Sequence, residues 1–494
     1  MAFVMLICVV PIGASAEYAE YTEGYYTYTV YSGEASIIDC DESISGDVEI
    51  PSTLGGYPVV RIGRKAFYNC NDIISLVIPE GVEEIESGHY EENFWETIIY
   101  SAFFGCKSLE SVLFPSSLIY IGAYAFMGCN KLKNITFATE GKLAVIGSYA
   151  FYSCSGVEDF DIPDSVDDIG EEAFSYCTSL TSIIIPCSVT NIDDSAFAGC
   201  NNLEKVEVSG ENPVYHSNGN CIIDTSKKRI ILGCKNSLIP SDGSVISIGN
   251  HAFTGCSGLK NITIPDEIIE IEDYAFCNCT ALTNVTIGNG VSDIGWGAFL
   301  NCTGLTSVTI PNSVSGINWD AFYNCTELTS ITIPKSVGYI GNKAFGYYLS
   351  PSSGMDEKIQ GFIIYGYPDT TSEFYANENG FTFIPLDEEH KHTFGEWTIT
   401  TTATCTDDGE EFRICLICDE VETRTLVKKG HSDLNNDGKC DICGTLVGIS
   451  DKPSQTCTHI CHKTGISRFF YKIARFFWKL FKINKECSCG AAHY

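Results

Sequence analysis

Basic side chains are scarce in this chain of 494 residues: 30 Lys and Arg stand against 63 Asp and Glu, a formal net charge of −33. A surface that acidic repels phosphate backbones, which argues against nucleic acid as a partner for the bulk of the chain. Charge of either sign is also sparse, at 19% of residues, while hydrophobic residues make up 44% and include 28 Phe and 26 Tyr. Disordered acidic chains have the opposite composition, so this one folds. No apolar run reaches 18 residues, so no segment reads as a membrane-spanning helix. Catalytic signatures are missing too: there is no G-x-S-x-G, no H-E-x-x-H and no phosphate-cradling glycine loop. The chain is therefore read as non-enzymatic, although a carboxylate pair assembled only by the fold would escape such a search.

Cysteine is the residue present in excess, at 25 copies. An exported chain would use so many as disulfides and a cytosolic one as metal ligands or redox groups. The first residues bear on the compartment. Phe3 to Val10 is apolar, Pro11 and Gly13 break the run, and Ala14-Ser15-Ala16 fits a cleavage site, so residues 1–16 are expected to be a signal peptide. A positively charged segment before the apolar run is lacking, which leaves open a start further upstream or an ordinary buried strand.

A repeat occupies most of the remainder. The dipeptide Ala-Phe recurs with Phe at 67, 103, 126, 151, 174, 197, 253, 276, 299, 322 and 345, and seven of the ten intervals are 23 residues. In the unit AFLNCTGLTSVTIPNSVSGINWD, Ala298 to Asp320, Val308 and Ile310 alternate with Ser307 and Thr309 before Pro311. That is a short strand ending at a turn. One unit cannot bury its own apolar side, whereas stacked copies can, so a parallel-sheet solenoid over residues 17–385 is expected. The unit resembles the BspA-like leucine-rich repeat of bacterial surface proteins over about Ser43 to Pro385. Ile50 to Phe67 looks like that family's first turn and Ser372 to Leu386 its last. The resemblance implies a mainly β or α/β solenoid and a secreted or cell-surface binding or adhesion role, with no catalytic residues to carry over.

Ten cysteines follow the repeat Phe by three residues, from Cys70 to Cys325. A residue with the same neighbours on every turn has no distinctive partner, so these are expected to be buried free thiols at the bend. The 56-residue interval carries an insertion near residues 209–243 that reads as a protruding hairpin, and Cys221 and Cys234 flank its turn symmetrically. A disulfide between them is one expectation. Cys40, Cys187 and Cys277 have no assignment.

Candidate contact surfaces are of two kinds. Outward strand positions change from Glu110, Glu158, Asp159, Asp161, Glu204 and Glu207 to a column of Thr263, Thr286, Thr309 and Thr332, which a solvated sheet face would also show. The insertion between Glu86 and Ser101 presents Tyr90, Phe94 and Trp95, aromatics that mark a protein or glycan contact unless they fold back on the solenoid.

Beyond Pro385 the period stops. Residues 386–450 form a cysteine-rich module in which Cys415, Cys418, Cys440 and Cys443 make two C-x-x-C pairs, and zinc and local disulfides are both open. Asp433, Asn435 and Asp437 resemble half a calcium loop, but Gly444 stands where a bidentate carboxylate belongs, so an Asx-rich turn is the simpler reading. Residues 451–494 contain eight Lys or Arg and one Glu from Lys452 on, net +7. Arg468, Lys472, Arg475, Lys479 and Lys482 form one stripe of an amphipathic helix, flanked by Trp478. Cys457, Cys461 and His462 bracket it on one side and Cys487, Cys489 and His493 on the other, a second candidate zinc or disulfide set. These modules resemble elements appended to gram-positive and clostridial-type surface proteins. Residues 467–482 are expected to touch a membrane or envelope polymer, unless that face packs on the module. A structural envelope or matrix component is the alternative function.

Overall fold

The computed structural model describes residues 19–92, 97–386, 394–415, 421–428 and 439. Residues 1–16, expected to be a signal peptide, and the basic C-terminal segment lie outside the described residues. The chain divides into two compact units, Met1–Leu386 and Asp387–Tyr494.

The first unit is the expected parallel solenoid. A turn carries one strand of three or four residues, such as Asn284–Thr286, and one of two residues, such as Asp293–Ile294. Each pairs in parallel with its copy in the next turn, Val285 opposite Val308 and Ile294 opposite Ile317. Val285, Val308, Ile294 and Ile317 point inward and are buried, while Thr286 and Thr309 point outward. Period-two alternation thus sets the register, because a one-residue slip would turn the apolar set out to solvent.

Between the two strands the Ala-Phe bend fills the core. Phe67, Phe103, Phe126, Phe151, Phe174 and Phe197 form a stack with ring centroids 4.6 to 5.5 Å apart. Phe253, Phe276, Phe299, Phe322 and Phe345 form a second, at 4.9 to 5.1 Å. Offset stacking adds attraction beyond area burial, and the sheet spacing of about 4.8 Å places the rings at contact distance without adjustment.

The repeat thiols complete each bend. The Phe276 carbonyl accepts the backbone N–H of Cys279 in its own turn and the Sγ of Cys302, 3.2 Å away, from the next. The same thiol bond recurs from Cys106, Cys129, Cys154, Cys177, Cys200, Cys279 and Cys325 to the Phe carbonyl of the preceding turn, at 3.1 to 3.4 Å. Buried carbonyls need partners, and a small side chain with a weak donor satisfies this one without displacing a ring.

Tyrosines close the two ends. At the start, Tyr26–Tyr31 and Glu34–Cys40 form an antiparallel pair, and Glu34–Cys40 then pairs in parallel with Tyr57–Ile62 of the first turn. The Tyr26 ring meets Phe67 edge-on at 6.2 Å. At the far end the helix Thr371–Asn379 covers the last turn. Its Tyr375 hydroxyl accepts from the Phe345 N–H at 3.1 Å and donates to the Phe345 carbonyl at 3.0 Å. One phenol thereby replaces both the acceptor and the thiol donor that a further turn would supply.

The insertion is the main departure from expectation. It does not protrude. Tyr215–Asn218, Cys221–Asp224 and Arg229–Leu232 are antiparallel, and Arg229–Leu232 pairs in parallel with Ser247–Ile248 of the next turn. Ile222, Leu232 and Cys234 pack in the core of the preceding turns, whereas Cys221, Ile223 and Ile230 pack in that of the following ones. Unbroken apolar runs such as Cys221-Ile222-Ile223 suit a strand buried on both faces. The hairpin is therefore a septum between two cores.

Cys221 and Cys234 do not form the expected disulfide in this structure. Both are buried free thiols. Cys221 lies opposite Asn218, and a register shift follows it on the other side. The Cys234 Sγ is 3.2 Å from the Glu204 carbonyl and within reach of the Asn220 side chain at 2.9 Å.

Gly233 supplies the missing rung. Its N–H donates to the Ala252 carbonyl, the bond that the repeat Phe makes elsewhere, and its own carbonyl faces the Cys256 Sγ at 3.8 Å. The Phe253 ring occupies the space where a side chain would sit, since a Cβ on Gly233 would fall 2.1 Å from that ring. Across the same junction Arg229 donates to both oxygens of Asp194, at 2.6 and 2.5 Å, and to Glu272 at 2.8 and 2.6 Å. Burial opposes its charge, but these hydrogen bonds and the two carboxylates outweigh that and push its pKa up.

In the second unit Thr398–Thr401, Gly409–Ile414 and Val421–Leu426 form an antiparallel meander. The Arg413 guanidinium lies 4.7 Å from both the Phe394 and Trp397 ring centroids, and Arg424 lies 4.1 Å from Trp397. Among the described residues no helix is long and apolar enough to cross a membrane.

Two outcomes follow. Gly233→Ala overpacks against Phe253 and should lower stability by about 1–3 kcal/mol, read as a fall in the urea midpoint at unchanged slope. Burial pushes the Cys154, Cys221 and Cys277 thiols up to about 12 from the ordinary value of 9.0. A folded-state pKa above the unfolded one stabilises fully below pH 9 and is lost as pH rises towards 12. The urea midpoint should therefore fall between pH 9 and 11, and at pH 8 peptide-mapped alkylation should mark exposed Cys187 long before Cys154.

Candidate functional site

The bend that precedes each Ala-Phe forms a continuous edge of the solenoid. The residue just before Ala adopts a left-handed conformation on turn after turn, at Tyr124, Tyr149, Glu172, His251, Tyr274, Asp320 and Lys343 with φ between 48° and 64°. Side chains rarely adopt that region, and the interturn hydrogen bonds hold it here, as from the Tyr274 N–H to the Trp296 carbonyl at 2.8 Å. The side chains of this position and the one before it are free to vary because neither enters the core.

Aromatic and acidic groups collect on that edge. Tyr124 stacks on Tyr149 at 4.9 Å, and the Tyr149 hydroxyl donates to Glu171 at 3.2 Å and Glu172 at 3.4 Å. Further along, His251 stacks on Tyr274 at 5.1 Å, and Tyr274 meets Trp296 at 5.7 Å. Between these groups, beside the septum, lies a cleft of about 410 Å³ lined by Glu171, Glu172, Asp193, Asp194, Asp273 and the rings of His251, Tyr274 and Trp296. Asp194 is neutralised by Arg229, so the remaining carboxylates set the field of the cleft. Burial raises the Glu172 pKa, against lowering hydrogen bonds from Ser175 and Tyr149. Burial likewise lowers that of His251, against the raising influence of Asp194, Asp193 and Asp273.

Two indoles, Trp296 at the cleft and Trp319 on the next turn, are open to solvent. Trp296 and Trp319 occupy the same place on consecutive turns, with 46% and 53% of their surface exposed, and Tyr339 beside them is 47% exposed. Their N–H groups are engaged, Trp296 Nε1 with Asp320 at 3.3 Å and Trp319 Nε1 with the Tyr339 hydroxyl at 2.5 Å. Neither tryptophan is singled out by periodicity, because both stand at a variable position. The legible signal is the replacement of Ser, Glu, Asp or Asn by Trp in two successive units, GWGAF and NWDAF.

The positions expected from sequence fare differently. His89–Glu92 and Thr97–Tyr100 form an antiparallel hairpin in which Tyr90 pairs with Ile99, while Phe94 and Trp95 lie outside the described residues. The threonine column is real in register, Thr263 beside Thr286 beside Thr309, and Thr332 pairs with Tyr365. The acidic stretch is partly neutralised, since Lys235 reaches Glu204 at 2.7 Å and Lys205 reaches Glu207 at 2.6 Å. Cys415 is buried, with its backbone bridged to Phe394. Cys418, Cys440, Cys443, Cys457, Cys461, His462, Cys487, Cys489 and His493 lie outside the described residues, as do Arg468, Lys472, Arg475, Trp478, Lys479 and Lys482. Among the described residues no group of three or more His, Cys, Asp or Glu is placed to hold a metal ion.

No curated protein matches the chain. Among solved structures, a leucine rich cell surface protein from Faecalibacterium prausnitzii A2-165 is similar at 26% identity and a TM-score of 0.50, over 69% of this chain and 97% of that one. The pneumococcal vaccine antigen PcpA matches at 16% identity and a TM-score of 0.50, over 75% of this chain and 99% of that one, a likeness of fold. The sequence profile of the BspA type leucine rich repeat region matches residues 47–102, 96–219 and 232–350 in six copies. With more than half of its residues matched, and with the ladder of turns that such repeats require, the chain belongs to the BspA-type leucine-rich repeat family.

Proposed function

We propose that this protein is a secreted or cell-surface binding protein that recognises a protein or glycan through the aromatic and acidic edge of its solenoid. The observation that carries the reading is the exposure of Trp296, Trp319 and Tyr339 on adjoining turns. Large aromatics left in water cost solvation free energy, and clustered ones are enriched at binding hot spots. The Phe, Cys and strand aliphatics of each turn are committed to the core, whereas the side chains of the edge are free to serve a ligand. Repeats of this family are generally non-enzymatic binding scaffolds, and the cell-surface protein of F. prausnitzii supports the compartment. Zinc in the cysteine-rich module, and contact of basic residues 467–482 with an anionic membrane or envelope polymer, remain part of the proposal.

Fluorescently labelled full chain should bind a panel of immobilised extracellular proteins and polysaccharides saturably and in competition with unlabelled chain. Self-association without any bound member of the panel would favour a structural matrix component instead. For the basic segment, the chain should co-sediment with phosphatidylglycerol vesicles more than a chain lacking residues 467–482. Equal sedimentation would end that part of the proposal.

A further inference from the structure

Resting on the secreted reading above, we propose that Cys40 and Cys70 form a disulfide in an oxidising compartment and so staple the N-terminal cap to the first repeat turn. Cys40 ends the cap strand Glu34–Cys40, where it pairs with Tyr26. Cys70 closes the first Ala-Phe bend, its N–H donating to the Phe67 carbonyl at 3.1 Å. The Tyr26 ring meets that same Phe67 edge-on, so the cap ladder and the first bend converge on one point. There the two thiols are in hydrogen-bond contact. Both are buried in one core, and both are free in this structure.

This pair differs from the rest of the thiol ladder. From Cys106 on, a repeat thiol donates to the Phe carbonyl of the turn before it. Phe67 heads its ring stack, so Cys70 has no such carbonyl behind it and meets the Cys40 thiol instead. Cys40 has a long contact of its own, 3.9 Å to the Asp41 carbonyl. Cys279 and Cys302 also touch, but each is already held by a Phe carbonyl at 3.2 Å. A distinctive partner is what a disulfide requires, and the first rung is where the ladder provides one.

The contact also sets the order of the chemistry. The Cys40 thiol donates to Cys70 and favours its thiolate, against burial and the nearby Glu42, Asp39 and Asp41. With a small-molecule or protein disulfide as oxidant, the Cys70 thiolate displaces one of its sulfurs and is held in a mixed disulfide. The Cys40 sulfur, its proton lost, then attacks the Cys70 sulfur and releases the second thiolate of the oxidant. Two electrons pass to the oxidant, and the two cysteine protons end on its two thiols. Because both sulfurs are buried, the exchange takes place during folding or when the cap opens. The closed loop holds Ser45–Glu49, Thr53–Leu54 and Tyr57–Ile62, and a cross-link across it restricts the unfolded chain at an end where an array frays first.

The test equilibrates the full chain, purified under reductant, with oxidised and reduced glutathione in urea below its midpoint, where terminal turns open. The chain is then denatured, treated with N-ethylmaleimide without reductant and read by peptide mass mapping. A peptide pair joined through Cys40 and Cys70 should appear, two hydrogens lighter than its separate parts, while Cys106, Cys129, Cys279 and Cys302 carry the label. Dithiothreitol should remove the joined pair and lower the urea midpoint by on the order of 1 M. Cys40→Ala should lose most of that response. The proposal is overturned if Cys40 and Cys70 both carry the label, if Cys279 and Cys302 join as readily, or if Cys40→Ala responds to dithiothreitol as the native chain does. Glutathione supplies the oxidant whatever compartment the chain occupies, so a failure here removes the staple and leaves the binding role standing.

Discussion

Each turn of this solenoid leaves a phenylalanine carbonyl inside an apolar core, and the structure depends on how that oxygen is satisfied. Its own turn supplies one donor, the backbone N–H of the cysteine three residues on, and the next turn supplies the other through the cysteine thiol. Neighbouring turns are thereby joined at their most buried point, in step with the ring stack and the two parallel ladders. Spacing is common to all four contacts. A change in rise that relieved one would break the others, so the repeat length is held at 23 residues through most of the array.

The same requirement explains the ends and the junction. Where no next turn exists, the Tyr375 hydroxyl takes over both hydrogen bonds of Phe345. At the septum Tyr215 does the equivalent for the short strand, accepting from the Ile192 N–H at 3.1 Å. Gly233 keeps the backbone ladder running while giving up the ring, and Phe253 fills the volume. Different residues thus answer one geometric demand, and Arg229 ties the turns on either side of the junction together through Asp194 and Glu272.

Much of this was legible because the core residues are periodic. Phe, Cys and the strand aliphatics recur at fixed offsets, and their types already imply stacking, burial and a free thiol. The septum was not legible in the same way. The symmetry of Cys221 and Cys234 about a turn suggested a protruding, clamped hairpin, yet the runs Cys221-Ile222-Ile223 and Ile230-Ile231-Leu232 lack the alternation of a one-sided strand and signal burial on both faces. Gly233 leaves no mark at all, since its role rests on having no side chain. Trp296 and Trp319 escaped for the converse reason: they stand where the period is silent, and periodicity finds only what every turn shares.

The septum also bears on how the first unit comes apart. In a one-dimensional array, stability is the sum of turn and interface terms, and a weak interface divides the array into separately melting blocks. Here the dividing wall belongs to both cores: Ile222 and Leu232 serve one, Ile223 and Ile230 the other. Disorder on one side strips half of the wall's cover and withdraws support from the other. A long insertion, ordinarily the place where a repeat array breaks, acts in this chain as the coupling that makes two blocks melt as one.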